Sequence, residues 1–482
     1  MTGIVETDVL VVGGGLTGLA AAAFLARHGV RVLLAERHPG TSTHPKARLV
    51  NVRSMELYRA LGVEGAVRAA GEPNAGFVLA DTLASEHEAW IPPPPDEAPG
   101  GDLSPCRPYS CDQDRIEPIL RARAVELGAD VRFATTATAV VDRGDRVTAT
   151  LDGAGAATVH ARYAIAADGA HSPLRDRLGI GRHGEPVPGT AVSVLFRADL
   201  GPALRGRRVD ALLARAAEAF LFARGNPAER RWQLGTYLRP GWDPRRIDAY
   251  VRDVIRAAAG LPDLDPFVEG VQTWTSGAYV ADRFRSGRVF LVGDAAHVMP
   301  PYGGFGGNTG VQDAHNLTWK LAAVCGGDAP DALLDTYESE RAPIAELTVG
   351  QALLRSRKTP GQPPPPDQID ATTLVLGFRY PQGHGSRARL VEDPAYPSGR
   401  PGTRAPHVEL ADGRSMLDLF DPTAFTAVHD PAAGGPARAH RVREVGREQV
   451  ARRHRKRWAA VYGGRTVIVR PDGVIAATDG RR

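Results

Sequence analysis

Three cysteines in 482 residues are too few to frame a fold. Cys106, Cys111 and Cys325 have neither the paired spacing of a zinc site nor the density of a disulfide scaffold, and no Cys-x-x-Cys follows Cys325, which excludes dithiol exchange there. The chain also lacks any run of about 18 apolar residues, and its N-terminus enters a strand pattern without a charged leader and cleavage site. A cytoplasmic protein with no membrane span is therefore expected. No internal repeat is visible. Nor is there a chain-wide excess of one charge. The formal net charge is +4, and residues 438–457 hold nine Lys or Arg against Glu444 and Glu448, so the rest of the chain is net −3. That basic run has no interleaved aromatics and reads as a solvated helix, not a nucleic-acid surface.

What is present describes an α/β protein. The length leaves room for about three domains, and 43% hydrophobic with 24% charged residues is ordinary globular composition. Residues 8–12 form a short buried-strand pattern, followed by a glycine-rich turn, a helical run closed by Gly29, and a second strand pattern ending at Glu36. This is a βαβ unit. A second helix is expected from Asp112, as its cap, to Gly128, as its stop, with strands over 130–141 and 146–151. Between about Gly181 and Tyr279 strand-like runs surround a single helical run, as in a sheet covered by helix on one face. A proline-rich break at 359–368 precedes the final segment.

Two glycine clusters carry the chemistry. In Gly13-x-Gly15-x-x-Gly18 the first glycine permits the tight turn, the second lets a pyrophosphate reach the backbone and the third allows close helix packing, while Glu36 can accept both hydroxyls of an adenosine ribose. The fingerprint alone leaves NAD and FAD open. The second cluster lies in "GDAAHVMPPYGGFGGNTGVQDAHNLTWKLA", residues 293–322, where Gly303, Gly304, Gly306 and Gly307 lead to a helix start expected at Asn308. Gly310, Ala314, Leu317, Leu321 and Val324 recur at helical spacing. A helix N-terminus stabilises negative charge, and a reduced flavin carries its charge on the pyrimidine edge, so this second loop points to a flavin. Asp294, just past a strand, is placed to hold sugar-like hydroxyls.

These residues resemble the signature of the FAD-dependent single-component aromatic hydroxylases, most closely their aromatic polyketide branch. "AADGAHSPLR" (Asp168, Gly169, Ser172, Arg175), the His44–Gly62 segment and Gln113 in "CDQDRIEPIL" match in order, so the resemblance spans residues 8 to about 356. It implies a Rossmann-like FAD-binding domain with an inserted β-sheet substrate domain, as in para-hydroxybenzoate hydroxylase, and a degenerate thioredoxin-like C-terminal domain. The implied boundaries are 1–180 and 281–358 for the FAD-binding domain, with a β excursion near 76–110, then 181–280 for the substrate domain, 359–398 for a linker and 399–482 for the last domain. FAD, with NADPH or NADH as cosubstrate, would be held by Gly13, Gly14, Gly15, Leu16, Thr17, Gly18, Glu36, Arg37, Arg48, Gln113, Asp168, Asp294, Gly306, Gly307 and Asn308.

The resemblance implies that a flavin C4a-hydroperoxide transfers one oxygen atom of O2 to a phenolic ring, so no side chain is required as nucleophile, acid or base, His297 included. Pro300 and Pro301 would lie near the ring, and Phe222, Tyr237 and Met299 would touch the substrate. The partners implied are a small aromatic molecule and O2, without nucleic acid or membrane, in a monomer or homodimer. Read from the residues alone, Gln113 can equally be a first-turn helix residue, Arg48 a surface residue and Arg175 an ion-pair partner of Asp168 or Asp176. A Baeyer–Villiger reaction of the same cofactor on a polyketide ketone is the alternative outcome.

Overall fold

The unbroken apolar run Val9–Val12 is buried, as an interior strand covered on both faces requires. It ends strand β1 (Ile4–Val12), which is followed by helix α1 (Leu16–Arg27) and strand β2 (Val32–Ala35). The computed structural model describes residues 3–73, 76–91, 102–224, 230–239, 241–242, 244–357, 363–382, 389–433 and 442–479. The chain forms two units, one of residues 1–73, 99–184 and 278–482, the other of 74–98 and 185–277.

The first unit continues with α2 (Val52–Leu61), α3 (Gln113–Glu126), β3 (Asp130–Arg132), β4 (Ala157–Ala166), β5 (Val289–Leu291), α4 (Phe305–Gly326) and α5 (Asp335–Ser356). The parallel part of its sheet runs β5-β4-β1-β2-β3, and strands Arg285–Ser286, Val147–Gly153 and Thr135–Asp142 add antiparallel pairs to it. This is the Rossmann-like order, and the loops leaving β1, β2, β4 and β5 line one edge of it, where such sheets take their ligands. The apolar run 130–141 does not form one strand: Ala134 has φ +51° and breaks it into β3 and Thr135–Asp142.

In the second unit, strands Phe77–Ala80, Ala211–Ala214, Ala219–Arg224 and Arg231–Tyr237 and the segment 191–197 make a sheet. The helix Ile247–Ala259 buries Tyr250, Val251, Val254 and Ile255 against its Val192, Val194, Leu221 and Leu234. Of the β excursion expected near 76–110, strands Phe77–Ala80 and Glu88–Ile91 pair within this sheet, and residues 92–101 lie outside the described residues.

Two expectations for the end of the chain are corrected. The described part of 359–398 is not a bare linker: it holds a helix Ala371–Leu376 and buries Leu374, Val375, Leu376, Phe378 and Tyr380, an apolar run that the preceding prolines obscured. The basic run is not one helix either. Residues 438–441 lie outside the described residues, and the remainder is a strand Val442–Glu444, short turns and a helix Arg455–Val461, with most of its cations exposed. The final segment has a four-stranded sheet of its own, with strands Thr426–His429 and Val442–Glu444 parallel and the other pairs antiparallel.

Buried charges tie that segment to the helices. Arg470 donates to Glu340 of α5 at 2.6 and 2.9 Å, Lys320 of α4 donates to Glu340 Oε2 at 2.8 Å, and Arg470 Nε donates to Asp472 at 3.0 Å. Arg404 pairs with Glu56 of α2, which also takes Arg53 at 2.9 Å. Burial alone would push the Glu340 carboxyl up, but Arg470 and Lys320 outweigh it and hold it below its ordinary value. Removing one partner of such a cluster strands the others without water. We expect Arg470→Ala to lower unfolding free energy by about 3–5 kcal/mol in denaturant titrations. Arg31→Ala, which breaks the exposed pair with Asp8, should cost at most about 1 kcal/mol.

Candidate cofactor-binding crevice

The turn from β1 into α1 is built from absent side chains. Gly13 holds φ +108°, and a Cβ there would stand 2.3 Å from the Ala167 carbonyl oxygen. A Cβ on Gly18 would stand 1.9 Å from Gly13 O, so the two glycines let the turn close onto the helix. Gly14 gives its space to Glu36: its N–H donates to Glu36 Oε2 at 2.5 Å. Gly15 is different, since the nearest atom to a Cβ there is Glu117 Oε1 at 3.9 Å. It forms the open side of the turn. Helix α1 starts beyond it at Leu16, with no side-chain cap and no acid in its first turn, leaving first-turn N–H groups available to an anion.

Around this turn the sequence-derived residues are largely engaged with one another. Glu36 Oε1 accepts from the His38 backbone N–H at 2.8 Å, while Arg37 is exposed. Gln113 opens α3; its side-chain oxygen accepts from Ala47 N–H at 3.2 Å and its amide donates to Glu117 at 2.7 Å. Asp112 occupies the cap position of α3 but makes no side-chain cap; it faces Arg48 at 3.2 Å. Asp168 accepts from Ser172 Oγ at 2.6 Å and Leu174 N–H at 3.0 Å, ordering the turn after β4. Arg175 donates to the carbonyls of Ala170 and Ala295 and so links that turn to the one after β5; its ion pair is with Asp176 at 3.2 Å, not with Asp168.

Asp294 stands in the turn after β5. Its side chain is reached by solvent, yet burial by the surrounding protein raises its carboxyl pKa, with His297 and Lys46 only partly opposing. Helix α4 begins at Phe305, not at Asn308 as expected, because Gly304 adopts φ +64° and acts as N-cap. Gly306 and Gly307 are therefore first-turn residues whose N–H groups have no helical acceptor. A Cβ on Gly307 would lie 3.0 Å from Leu16 Cδ2, so the starts of α1 and α4 adjoin.

The Asn308 side chain is committed to structure. It donates to Leu49 O and Gly304 O at 2.8 and 2.7 Å and accepts from Asn51 N–H at 3.0 Å, so it clips the start of α4 to residues 49–51. Thr17 is likewise a wedge: a Cβ on Gly293 or Gly310 would meet its Oγ1 at 2.6 or 2.3 Å. Met299 lies beside Gly306, Pro300 is buried and Pro301 exposed. Sequence reading missed Glu117, a buried carboxylate whose pKa burial raises, and Lys46, whose charge acts on both Glu117 and Asp294. The one-turn spacing of Glu117 from Gln113 was the available signal.

Phe222 and Tyr237 lie in the second unit. The pairings Phe222–Gln233 and Ala191–Tyr237 put both on the sheet face opposite the helix. Phe220 and Phe222 stack there with centroids 6.0 Å apart, and Phe77 meets Phe220 edge-on at 6.5 Å.

Comparison with known proteins bears on this geometry. A family model described as FAD binding domain matches residues 6–352. The chain is 41% identical to tetracenomycin A2 monooxygenase-dioxygenase of Streptomyces glaucescens, over 89% of this chain and 83% of that one. It is 39% identical to aklavinone 12-hydroxylase of Streptomyces peucetius, over 86% and 90%. The crystal structure of an aklavinone-11 hydroxylase with FAD and aklavinone superposes with a TM-score of 0.87 at 35% identity, covering 98% of this chain and 96% of that one. No helix among the described residues is long and apolar enough to cross a membrane.

Gly310 and Gly306 separate packing from ligand access. Gly310→Ala should force α4 off Thr17 and lower stability by about 1–3 kcal/mol. Gly306→Ala, whose Cβ meets only Met299 Cγ at 3.7 Å, should keep the fold and weaken flavin retention alone. Thermal midpoints and flavin absorbance of the two variants decide this.

Proposed function

As the chain belongs to the FAD-binding family of flavin-dependent monooxygenases, we propose that it hydroxylates a polycyclic, polyketide-type phenol, using NAD(P)H and O2. The relatives named above are hydroxylases and monooxygenase-dioxygenases, which favours ring hydroxylation over the Baeyer–Villiger outcome. FAD, when bound, supplies the redox chemistry between nicotinamide and O2. The chain's own residues bind, orient and exclude water.

One observation carries the reading: two glycine-lined helix starts without side-chain caps adjoin at the ligand-binding edge of a parallel run of strands, with the exposed Asp294 in the turn after β5. Those features fit a long dianionic dinucleotide. Under this reading the open side at Gly15 and the start of α1 take the pyrophosphate, Glu36 the adenosine ribose and Asp294 the ribityl hydroxyls. The N–H groups of Gly306 and Gly307 face the pyrimidine edge, and Met299, Pro300 and Pro301 lie toward the ring. Gln113, Arg48 and Asp168 hold the loops that border it, and Thr17 and Asn308 hold the two helices. The division into FAD-binding, substrate-binding and C-terminal parts belongs to the same proposal. So does a monomer or homodimer whose partners are a small aromatic molecule and O2.

The substrate is assigned to the helix-free face of the second unit's sheet. Phe77, Phe220 and Phe222 offer flat apolar surface there, and Gln233 with Ser193, joined at 2.6 Å, adds polar groups on the same face. A multi-ring phenol matches such a wall.

Two measurements test the proposal. Asp294→Ala removes the acceptor for the ribityl hydroxyls and should weaken FAD binding by about 1–3 kcal/mol. In the parent protein FAD should be lost progressively as pH falls through the raised Asp294 pKa, because the unliganded carboxyl takes a proton that the hydroxyl-bound form excludes. Unchanged flavin content in Asp294→Ala sinks the ribityl assignment. Turnover of aromatic polyketides under heavy O2 should put label in one new ring hydroxyl, by mass spectrometry. Label in a lactone selects the Baeyer–Villiger reaction, and oxygen drawn only from water overturns both.

A further inference from the structure

Behind Asp294 lies a carboxylate whose contacts go beyond those of an ion pair. Asp313, on α4, is fully buried. Its Oδ1 accepts from Arg341 Nε of α5 at 2.7 Å. Its Oδ2 accepts from the Gly293 backbone N–H at 3.1 Å and from His297 Nε2 at 2.6 Å. Burial would raise the Asp313 pKa, but the charges and hydrogen bonds of His297 and Arg341 outweigh it, so the group is an ionised acceptor and His297 is the donor.

The placement of the donors is informative. A buried Asp–Arg pair is often no more stabilising than apolar side chains of the same volume, so stability alone does not account for it. Arg341 already balances the charge. The two further donors both come from the five-residue loop Gly293–His297 that carries Asp294. Gly293 has φ +58°, and a Cβ on it or on Gly310 would meet Thr17 Oγ1 at 2.6 or 2.3 Å, so this end of the loop is closely packed. Asp313 itself stands eight residues after Phe305, about 12 Å along α4 from the helix start. One carboxylate thus bonds to the loop of Asp294 and belongs to the helix whose N-terminus forms the other half of the cradle.

We propose that Asp313 is a positioning residue for the cofactor: by fixing the Gly293 N–H and His297, it sets where Asp294 stands relative to the start of α4. The proposal rests on the reading of Asp294 as a holder of FAD. Arg341, which also donates to Thr309 O at 3.3 Å, keeps Asp313 charged and aimed.

The test is a double-mutant cycle on FAD affinity, read from FAD released at equilibrium by the purified holoenzyme, with thermal midpoints in parallel. Asp313→Asn should raise the FAD Kd about tenfold in the parent and less than about twofold in the Asp294→Ala protein, since its effect runs through Asp294. An equal rise in both backgrounds overturns the proposal and makes Asp313 a residue of the fold at large. If Asp294→Ala alone leaves the FAD Kd unchanged, the reading of Asp294 fails and the proposal with it. Should Asp313→Asn not accumulate as folded protein, His297→Asn enters the same cycle, because it removes one donor and leaves the Asp313–Arg341 pair. A rise of about threefold in the parent and none in Asp294→Ala supports the proposal, and equal effects overturn it.

Discussion

Two helix N-termini can serve one ligand only if the helices lie almost in contact, and here that depends on a missing side chain. At Gly310 any Cβ would press on Thr17 Oγ1, and the Gly293 backbone is only 3.1 Å from the same point. Helix α4 therefore reaches α1 and the turn after β5 together. Much of the crevice's character follows from this approach: adjoining helix starts without side-chain caps, and the Asp294 turn packed against both helices through Gly293. Interiors pack too tightly to absorb a methyl group at such a junction by small adjustments.

The second determinant is charge that has been taken out of water. Glu56, Lys320, Glu340, Arg404, Arg470 and Asp472 are buried, and each is answered by at least one opposite charge. Glu56, Lys320 and Glu340 lie on α2, α4 and α5, and Arg404 and Arg470 pair directly with them, so the final segment and the cofactor-binding helices are held in one register. Such clusters add little net stability, but they leave few alternative arrangements because every misplacement strands a charge. The cysteines belong to the opposite category. Burial raises the thiol pKa of Cys106, and pushes Cys111 and Cys325 up to about 11, so none is poised as a nucleophile.

Polar side chains in the crevice divide by whether they are already satisfied. Gln113, Asp168 and Asn308 spend their hydrogen bonds on neighbouring loops, which orders backbone near the ligand edge. Asp294 combines solvent access with a desolvated carboxyl, the condition under which a ligand hydroxyl gains most from a charged acceptor. Residues that shape the site thus outnumber those that face it.

By itself the sequence determined the features that depend on backbone geometry within a few residues. The turn at Gly13–Gly18, the acid ending β2, the αL glycine closing α1 and the helical period after Gly310 are each legible because local sterics require those residue types. The family signature was legible for the same reason. Only the tertiary structure decided what long-range contacts settle: that α4 begins at Phe305 because Gly304 caps it, that Thr17 is a wedge and Asn308 a clip, and that the chain after the prolines joins a core. It also decided the partners of Asp313 and the presence of Glu117 beside Gly15. A carboxylate's partners are set by which distant donors the fold brings within hydrogen-bond reach of it, and no spacing along the chain encodes that distance.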